Sequence, residues 1–211
     1  MGDLSPLQTM AVLAVPFLMA VTFHEVAHGW VANLLGDPTA AEAGRLTLNP
    51  IRHIDPLGLL ALVVTHMIGW AKPVPINPMR LRHPKEDMVW VALAGPAANL
   101  ILAVVSAVLL HALPAVVPSL AHAEASGVAR FLYWTFSLSV QINVALAVFN
   151  CLPLPPLDGG RILVGLLPMA AARQVARVER FGFPILLVLL VAGIVPKLIY
   201  PPIELLLHLL I

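Results

Sequence analysis

An uncharged, apolar run from Met10 to Phe23 leads directly into a cluster of ionisable residues, His24-Glu25-Val26-Ala27-His28. Such a run predicts a membrane-spanning helix, in which a central charged group costs about 2.5–3.5 kcal/mol on insertion scales. Three ionisable side chains within about one helical turn therefore need a function that offsets this cost. The cluster restricts the chain to a fold that shields these side chains from lipid.

The H-E-x-x-H spacing indicates a metal site. Residues i and i+4 share one face of a helix, so the imidazoles of His24 and His28 can bind one ion. Glu25 would lie beside that ion, where its carboxylate can move the proton of a zinc-activated water. We expect one Zn²⁺ per chain, with Glu25 as general base for hydrolysis of a peptide bond. In a soluble helix the same pattern is often a surface feature, but the apolar surroundings argue against that here.

Composition indicates a polytopic membrane protein. The 211 residues are 60% hydrophobic and 11% charged, whereas soluble domains carry roughly 25% charge. The length fits one domain over residues 1–211. A net charge of +1 lacks the excess of basic residues that is typical of nucleic-acid-binding proteins. The single cysteine, Cys151, permits no internal disulfide. We interpret it as a small apolar filler, and a weak metal ligand is the alternative. The first apolar run is expected to be a retained span, not a signal peptide.

Apolar segments predict about four transmembrane helices, over residues 6–35, 88–112, 128–150 and 181–195. The connection 36–87 contains a strand-like stretch at 45–48, a short apolar stretch at 57–70 and a proline-rich stretch at 72–78. We therefore predict an all-α polytopic membrane protein with a small membrane-embedded β or re-entrant segment. A three-helix catalytic core would occupy residues 5–165, followed by C-terminal helices over 166–211. The sequence does not place the last apolar stretch, 198–211.

The positive-inside rule predicts the orientation. Ten of the 12 basic residues fall in two segments, 36–87 and 161–180, which the predicted spans place on one side of the membrane. The N-terminus would therefore face outward and both segments would face the cytoplasm. The end of the first span and Asp158, after the third, then lie at the same cytoplasmic depth.

Asp158 is the best candidate for a third zinc ligand, because a catalytic zinc site usually has three protein ligands and one water. Asp55, His53 and His66 are weaker alternatives. Asn150, at the broken end of the third span, could assist at the metal or cap freed backbone groups. Asn99 is expected to form a hydrogen bond between helices.

Two motifs on separate spans resemble the site-2 protease family of intramembrane zinc metalloproteases. They are His24-Glu25-Val26-Ala27-His28 and Asn150-Cys151-Leu152-Pro153 with Leu157-Asp158-Gly159 downstream, and Gly95-Pro96-Ala97-Ala98-Asn99 looks like the helix between them. The resemblance implies His24, His28 and Asp158 as zinc ligands and Glu25 as catalytic base. It also implies β structure around 44–49 and 70–77. We expect a minimal member without a PDZ or CBS domain.

The expected substrates are single-span membrane proteins or signal peptides within the lipid bilayer. A transmembrane helix must unwind before it is cut, and an edge at 72–77 could pair with the unwound stretch. Substrate contacts are predicted at Asn150, Pro153, Val74 and Ile76. The alternatives are a metal transporter or sensor that uses the same His/Asp site, or an inactive relative that only binds helices. A prokaryotic plasma membrane is the expected location, and the oligomeric state is not predicted.

Overall fold

The computed structural model describes residues 5–58, 70–117 and 127–211, which are mostly helical. The α-helices in these ranges are α1 (Pro6–Leu34), α2 (Thr39–Glu42), α3 (Pro84–Val116), α4 (Gly127–Asn150), α5 (Asp158–Leu166), α6 (Met169–Val178), α7 (Gly182–Val191) and α8 (Ile194–Leu210). Short 3₁₀ turns lie at Pro50–His53, Pro78–Arg80 and Glu179–Phe181.

Three of these helices, α1, α3 and α4, are long and apolar enough to cross a membrane, and each contacts the other two. This confirms the predicted three-helix arrangement. Helix α1 begins at a capping box, in which Ser5 and Gln8 satisfy each other's backbone amides. Small buried residues, Ala103 and Ala107 of α3, pack against Val140 and Val144 of α4, and small side chains of this kind allow close helix contact.

The predicted fourth span, 181–195, is not one helix. Helix α7 ends at Val191, and α8 begins at Ile194. The chain bends by 77° between the stretch formed by α6 and α7 and helix α8. Gly193 stands at the break with φ +72°, a left-handed conformation that favours glycine. The described residues therefore contain three candidate spans, or four if the bent pair forms one. The stretch 198–211, which the sequence did not place, belongs largely to α8 and packs on α3 and α4 through Ile203, Leu206 and Leu207.

The predicted β structure around 44–49 and 70–77 is wrong for the described residues. Both segments lack a strand, and one isolated antiparallel bridge joins Ile54 to Ala71. The amide of Lys72 donates to the carbonyl of His53 (2.9 Å), but the ladder stops there. Prolines at 73, 75 and 78 have no N–H with which to continue it. Residues 59–69 of the predicted re-entrant stretch lie outside the described residues.

Acidic side chains from α1 and its C-terminal turn hold the extended segment 72–77 in place. The Val74 amide donates to Glu25 Oε2 (2.8 Å), and the Asn77 amide donates to Asp37 Oδ2 (2.6 Å). Asp37 is fully buried and also accepts hydrogen bonds from the amide and hydroxyl of Thr39. The segment therefore lies directly against the part of α1 that carries the H-E-x-x-H motif.

Candidate metal centre

Three potential metal ligands converge from two helices that are far apart in the sequence. His24 and His28 lie one turn apart on α1, and Asp158 is the first residue of α5. The two Nε2 atoms are 3.0 Å apart, and Asp158 Oδ2 lies 3.1 Å from one and 3.3 Å from the other. Three ligands at zinc-bonding distance in a tetrahedral arrangement would be about 3.3 Å apart. The spacing therefore fits a single small cation.

The hydrogen bond at Nδ1 of each imidazole determines which ring nitrogen carries the proton. His28 Nδ1 lies 2.6 Å from the Val91 carbonyl, and His24 Nδ1 lies 2.6 Å from Asn99 Oδ1. A carbonyl oxygen only accepts, so both Nδ1 atoms carry hydrogen and donate outward. The Asn99 amide is oriented by its own bonds, because its Nδ2 donates to the Ala20 carbonyl and to Asn143 Oδ1. Both Nε2 lone pairs therefore point inward, as metal ligation requires.

Asp158 Oδ2 completes a set of three acceptors that face one another. This oxygen is buried and has no hydrogen-bond donor among the described residues. A buried acceptor without a donor is costly, and two inward lone pairs beside a carboxylate repel one another. A divalent cation satisfies all three groups at once, so the donor set fits zinc, which prefers nitrogen and carboxylate ligands in such sites.

Gly95 on α3 provides the space for the two imidazoles. A Cβ at this position would lie 2.4 Å from His28 Nε2 and 2.6 Å from His24 Nε2. Contacts this short are not tolerated, so any side chain at residue 95 would displace the histidines. The glycine therefore allows α3 to pass directly over the metal-binding face of α1.

Glu25 lies beside the three ligands and lines a cavity of about 150 Å³ with them. That volume is enough for water, which occupies about 30 Å³ per molecule in the liquid. Its Oε2 accepts the hydrogen bond from the Val74 amide. Since Pro73 and Pro75 have no N–H, Val74 supplies the one amide of that tripeptide, and it points at Glu25.

The predicted substrate-contact residues fall into two groups. Asn150, Val74 and Ile76 line the cavity with the three ligands, whereas Pro153 is exposed and does not. The side-chain amide of Asn150 donates to the Leu146 carbonyl (3.0 Å), one turn back in α4. Pro156 takes a place in the cavity wall that the sequence suggested for Pro153.

The weaker ligand candidates have other partners. Asp55 Oδ1 accepts from the amides of Leu57 and Gly58, so it forms a turn. His53 Nε2 bonds to the Thr47 carbonyl (2.9 Å), and His66 lies outside the described residues. Cys151 is a free thiol. Burial, and then the charge of Asp158, raise the pKa of that thiol, so the neutral form is favoured.

Sequence reasoning missed what Gly95 and Asn99 do at the site. The sequence predicted no separate role for Gly95 and predicted a hydrogen bond between helices for Asn99, and Asn99 does bond across helices. Its partner, however, is His24. The available signal was their spacing, because residues i and i+4 on α3 share the face that meets α1. Asn143 of α4 supports Asn99 in turn.

The chain is similar to known proteins whose names describe them as zinc metalloproteases. A family model described as "Peptidase family M50" matches residues 113–193. "Putative zinc metalloprotease YwhC" of Bacillus subtilis is 40% identical over 93% of this chain and 87% of its own length. "Putative zinc metalloprotease Rip2" of Mycolicibacterium smegmatis is 34% identical over 83% of this chain and 64% of its own length. The Rip2 protein of Mycobacterium tuberculosis strain H37Rv is 30% identical, over 83% and 65%.

No solved structure matches the chain significantly. The YwhC match spans nearly the whole of both chains, and so includes the H-E-x-x-H helix that precedes the residues matched by the family model. The resemblance to site-2 proteases is thereby confirmed, and the apolar helices agree with an integral membrane protein. The chain belongs to the M50 family of zinc metallopeptidases.

Proposed function

We propose that this protein is an intramembrane zinc endopeptidase that hydrolyses a peptide bond in or near a transmembrane segment. The observation that carries the proposal is the inward orientation of two imidazole lone pairs toward a buried carboxylate, with Glu25 beside them. His24, His28 and Asp158 would hold one Zn²⁺ per chain. A surface His pattern would not have both Nδ1 atoms fixed by buried acceptors on another helix.

Bound zinc supplies a water of pKa near 7 and polarises the carbonyl of the scissile bond. Glu25 takes the proton of the attacking water and returns it to the leaving amine. The Val74 amide holds Glu25 Oε2 (2.8 Å), so the other carboxylate oxygen stays free to move the proton. Asn99 and the Val91 carbonyl keep the two imidazoles in the ligating tautomer.

The site would lie within the membrane, toward the cytoplasmic side of a prokaryotic plasma membrane. Its ligands stand on the last third of α1 and at the start of α5, next to the two segments that carry ten of the 12 basic residues. Basic residues are retained in the cytoplasm, so the N-terminus would be outside. All the relatives compared above are bacterial.

The substrates would be single-span membrane proteins or signal peptides that unwind at the site. The extended segment 72–77 runs along the cavity, with Val74 and Ile76 in its wall. Its amides at Lys72, Val74 and Asn77 already have partners within the protein. An unwound substrate would therefore pair mainly by donating its own N–H groups to carbonyls of this segment.

The test compares the wild type with Glu25→Gln, using purified protein in detergent. Zinc is measured per chain, and cleavage is assayed on a panel of single-span substrates. Glu86→Gln is the matched control, because Glu86 is exposed in the first turn of α3 and lines neither cavity. We expect one zinc in all three proteins and cleavage lost only in Glu25→Gln. Zinc binding without cleavage of any substrate, together with zinc uptake into vesicles, would favour a transporter instead.

A further inference from the structure

A second, larger cavity adjoins the one that holds the metal ligands. It has a volume of about 340 Å³ and lies between the extended segment, α3, α5 and α6. Val74, Ile76 and Arg161 line both cavities. A chain that enters the first cavity along the extended segment can therefore continue into the second.

Arg161 is the free cation at the junction of the two cavities. It stands three residues after Asp158 on α5, but Asp158 turns toward the two histidines, and no ion pair joins it to Arg161. The other cation in the larger cavity, Lys85, donates to the Leu167 carbonyl (2.6 Å). Arg161 is exposed, and its side chain has no hydrogen-bond or ion-pair partner within the described residues, although its backbone amide donates to the Leu157 carbonyl. Glu179, in the wall of the larger cavity, forms no ion pair with it.

We infer that Arg161 is a specificity residue that binds a carboxylate side chain of the substrate, within about three residues of the cleaved bond. The inference rests on the proposed function. A guanidinium presents a planar fork of donors that matches a carboxylate in a bidentate arrangement. Arg161 is exposed in the free protein, and a substrate chain lying across the two cavities would cover it. The ligand is peptidic because the junction is continuous with the cavity that contains Glu25 and with the edge at Val74 and Ile76.

The extended segment restricts which substrate residues reach Arg161. Side chains of an extended chain alternate between two faces, so a chain paired along 72–77 directs every second side chain to the same wall. Arg161 lines the cavities on both sides of the junction, so it would contact one or two of these positions. A hydrophobic substrate with one acidic residue near the point where its helix unwinds would match both the apolar wall and the cation.

The test uses one cleavable single-span substrate in which Glu, Gln or Lys is placed in turn at each of the three residues on either side of the cut. The measured quantity is the ratio of kcat/KM for the Glu and Gln substrates. At one position the wild type should prefer Glu about tenfold, which is the scale of one charge-assisted hydrogen bond. Arg161→Gln should reduce the ratio to about one, and Arg161→Glu should favour Lys. The matched control is Arg173→Gln, because Arg173 is exposed on α6 and lines neither cavity.

A binding measurement separates recognition from catalysis. Labelled Glu and Gln peptides are titrated into Glu25→Gln protein, with and without Arg161→Gln, and the tenfold preference should appear in Kd and disappear with Arg161. If the wild type cleaves all three substrates equally at every position, the inference about Arg161 is wrong and the proposed function stands. Equal loss of Glu and Gln cleavage in Arg161→Gln would also overturn it. If no protein binds zinc or cleaves, the proposed function fails first.

Discussion

Substitution of Gly95 by alanine adds one methyl group at the point where α3 meets the metal-binding face of α1. The added Cβ would lie 2.4 Å from His28 Nε2 and 2.6 Å from both Cε1 and Nε2 of His24. Since real Cβ contacts essentially never fall below 3.0 Å, at least one ring must move by about 0.6 Å, the difference between the two distances. The rings cannot swing aside freely, because each is buried and anchored by a 2.6 Å hydrogen bond through Nδ1.

The size of this displacement determines the expected loss of zinc affinity. Metal–ligand distances tolerate about 0.2 Å, so a shift of about 0.6 Å breaks the ligand set. Mutation of a residue that hydrogen-bonds to a metal ligand lowers metal affinity about 10–100-fold. Gly95→Ala should lower zinc affinity by more than this. Overpacking should also cost about 1–3 kcal/mol of folding free energy. Zinc affinity is measured by competition with a chromophoric chelator, and stability by thermal unfolding of the zinc-free protein in detergent.

Gly127→Ala is the matched control for this change. It is the same substitution in the first turn of α4, and the nearest atom to the new Cβ is Gln8 Nε2 at 3.9 Å. It should bind zinc as the wild type does. Wild-type zinc affinity in folded Gly95→Ala would contradict this prediction, because the two imidazoles would then not lie under residue 95.

Two further substitutions test the supports of the site. Asn99→Ala removes the acceptor for His24 Nδ1 and should lower zinc affinity about 10–100-fold, as measured by the same chelator competition; unchanged affinity would contradict the role of Asn99. Hydrogen bonds from Thr39 and the Asn77 amide hold the pKa of Asp37 below its usual value, against the opposing effect of burial. The carboxylate therefore stabilises the fold above about pH 4 and loses this effect as the pH falls through its folded pKa. Asp37→Asn should lower the unfolding temperature at pH 7 and show a weaker fall with acid than the wild type; identical pH profiles would contradict this.

The sequence predicted the parts of the site that depend on local spacing. His24 and His28 share a face because they are four residues apart on a helix, and polar residues inside an apolar run must face protein. The depth of Asp158 followed from counting spans. The structure brings these three residues together.

The contacts of the connection 36–87 and the break in the C-terminal helices were not predictable. Strand-like alternation at 45–48 suggested a sheet, but prolines at 73 and 75 leave Val74 as the one donor between them, and it bonds to a side chain, Glu25. A sequence pattern cannot show which partner a single free amide will find. The break at Gly193 was not predicted, because glycine is common within membrane helices and does not by itself mark the end of a helix.

X-ray absorption at the zinc edge of the purified protein tests whether His24, His28 and Asp158 hold a zinc ion. We expect one zinc per chain, with nitrogen and oxygen ligands at about 2.0–2.1 Å and the outer-shell scattering of two imidazoles. In Asp158→Ala the imidazole scattering should persist while the bound zinc is weakened. A sulfur ligand at about 2.3 Å, which would implicate Cys151, or zinc without imidazole scattering, would contradict the site described above.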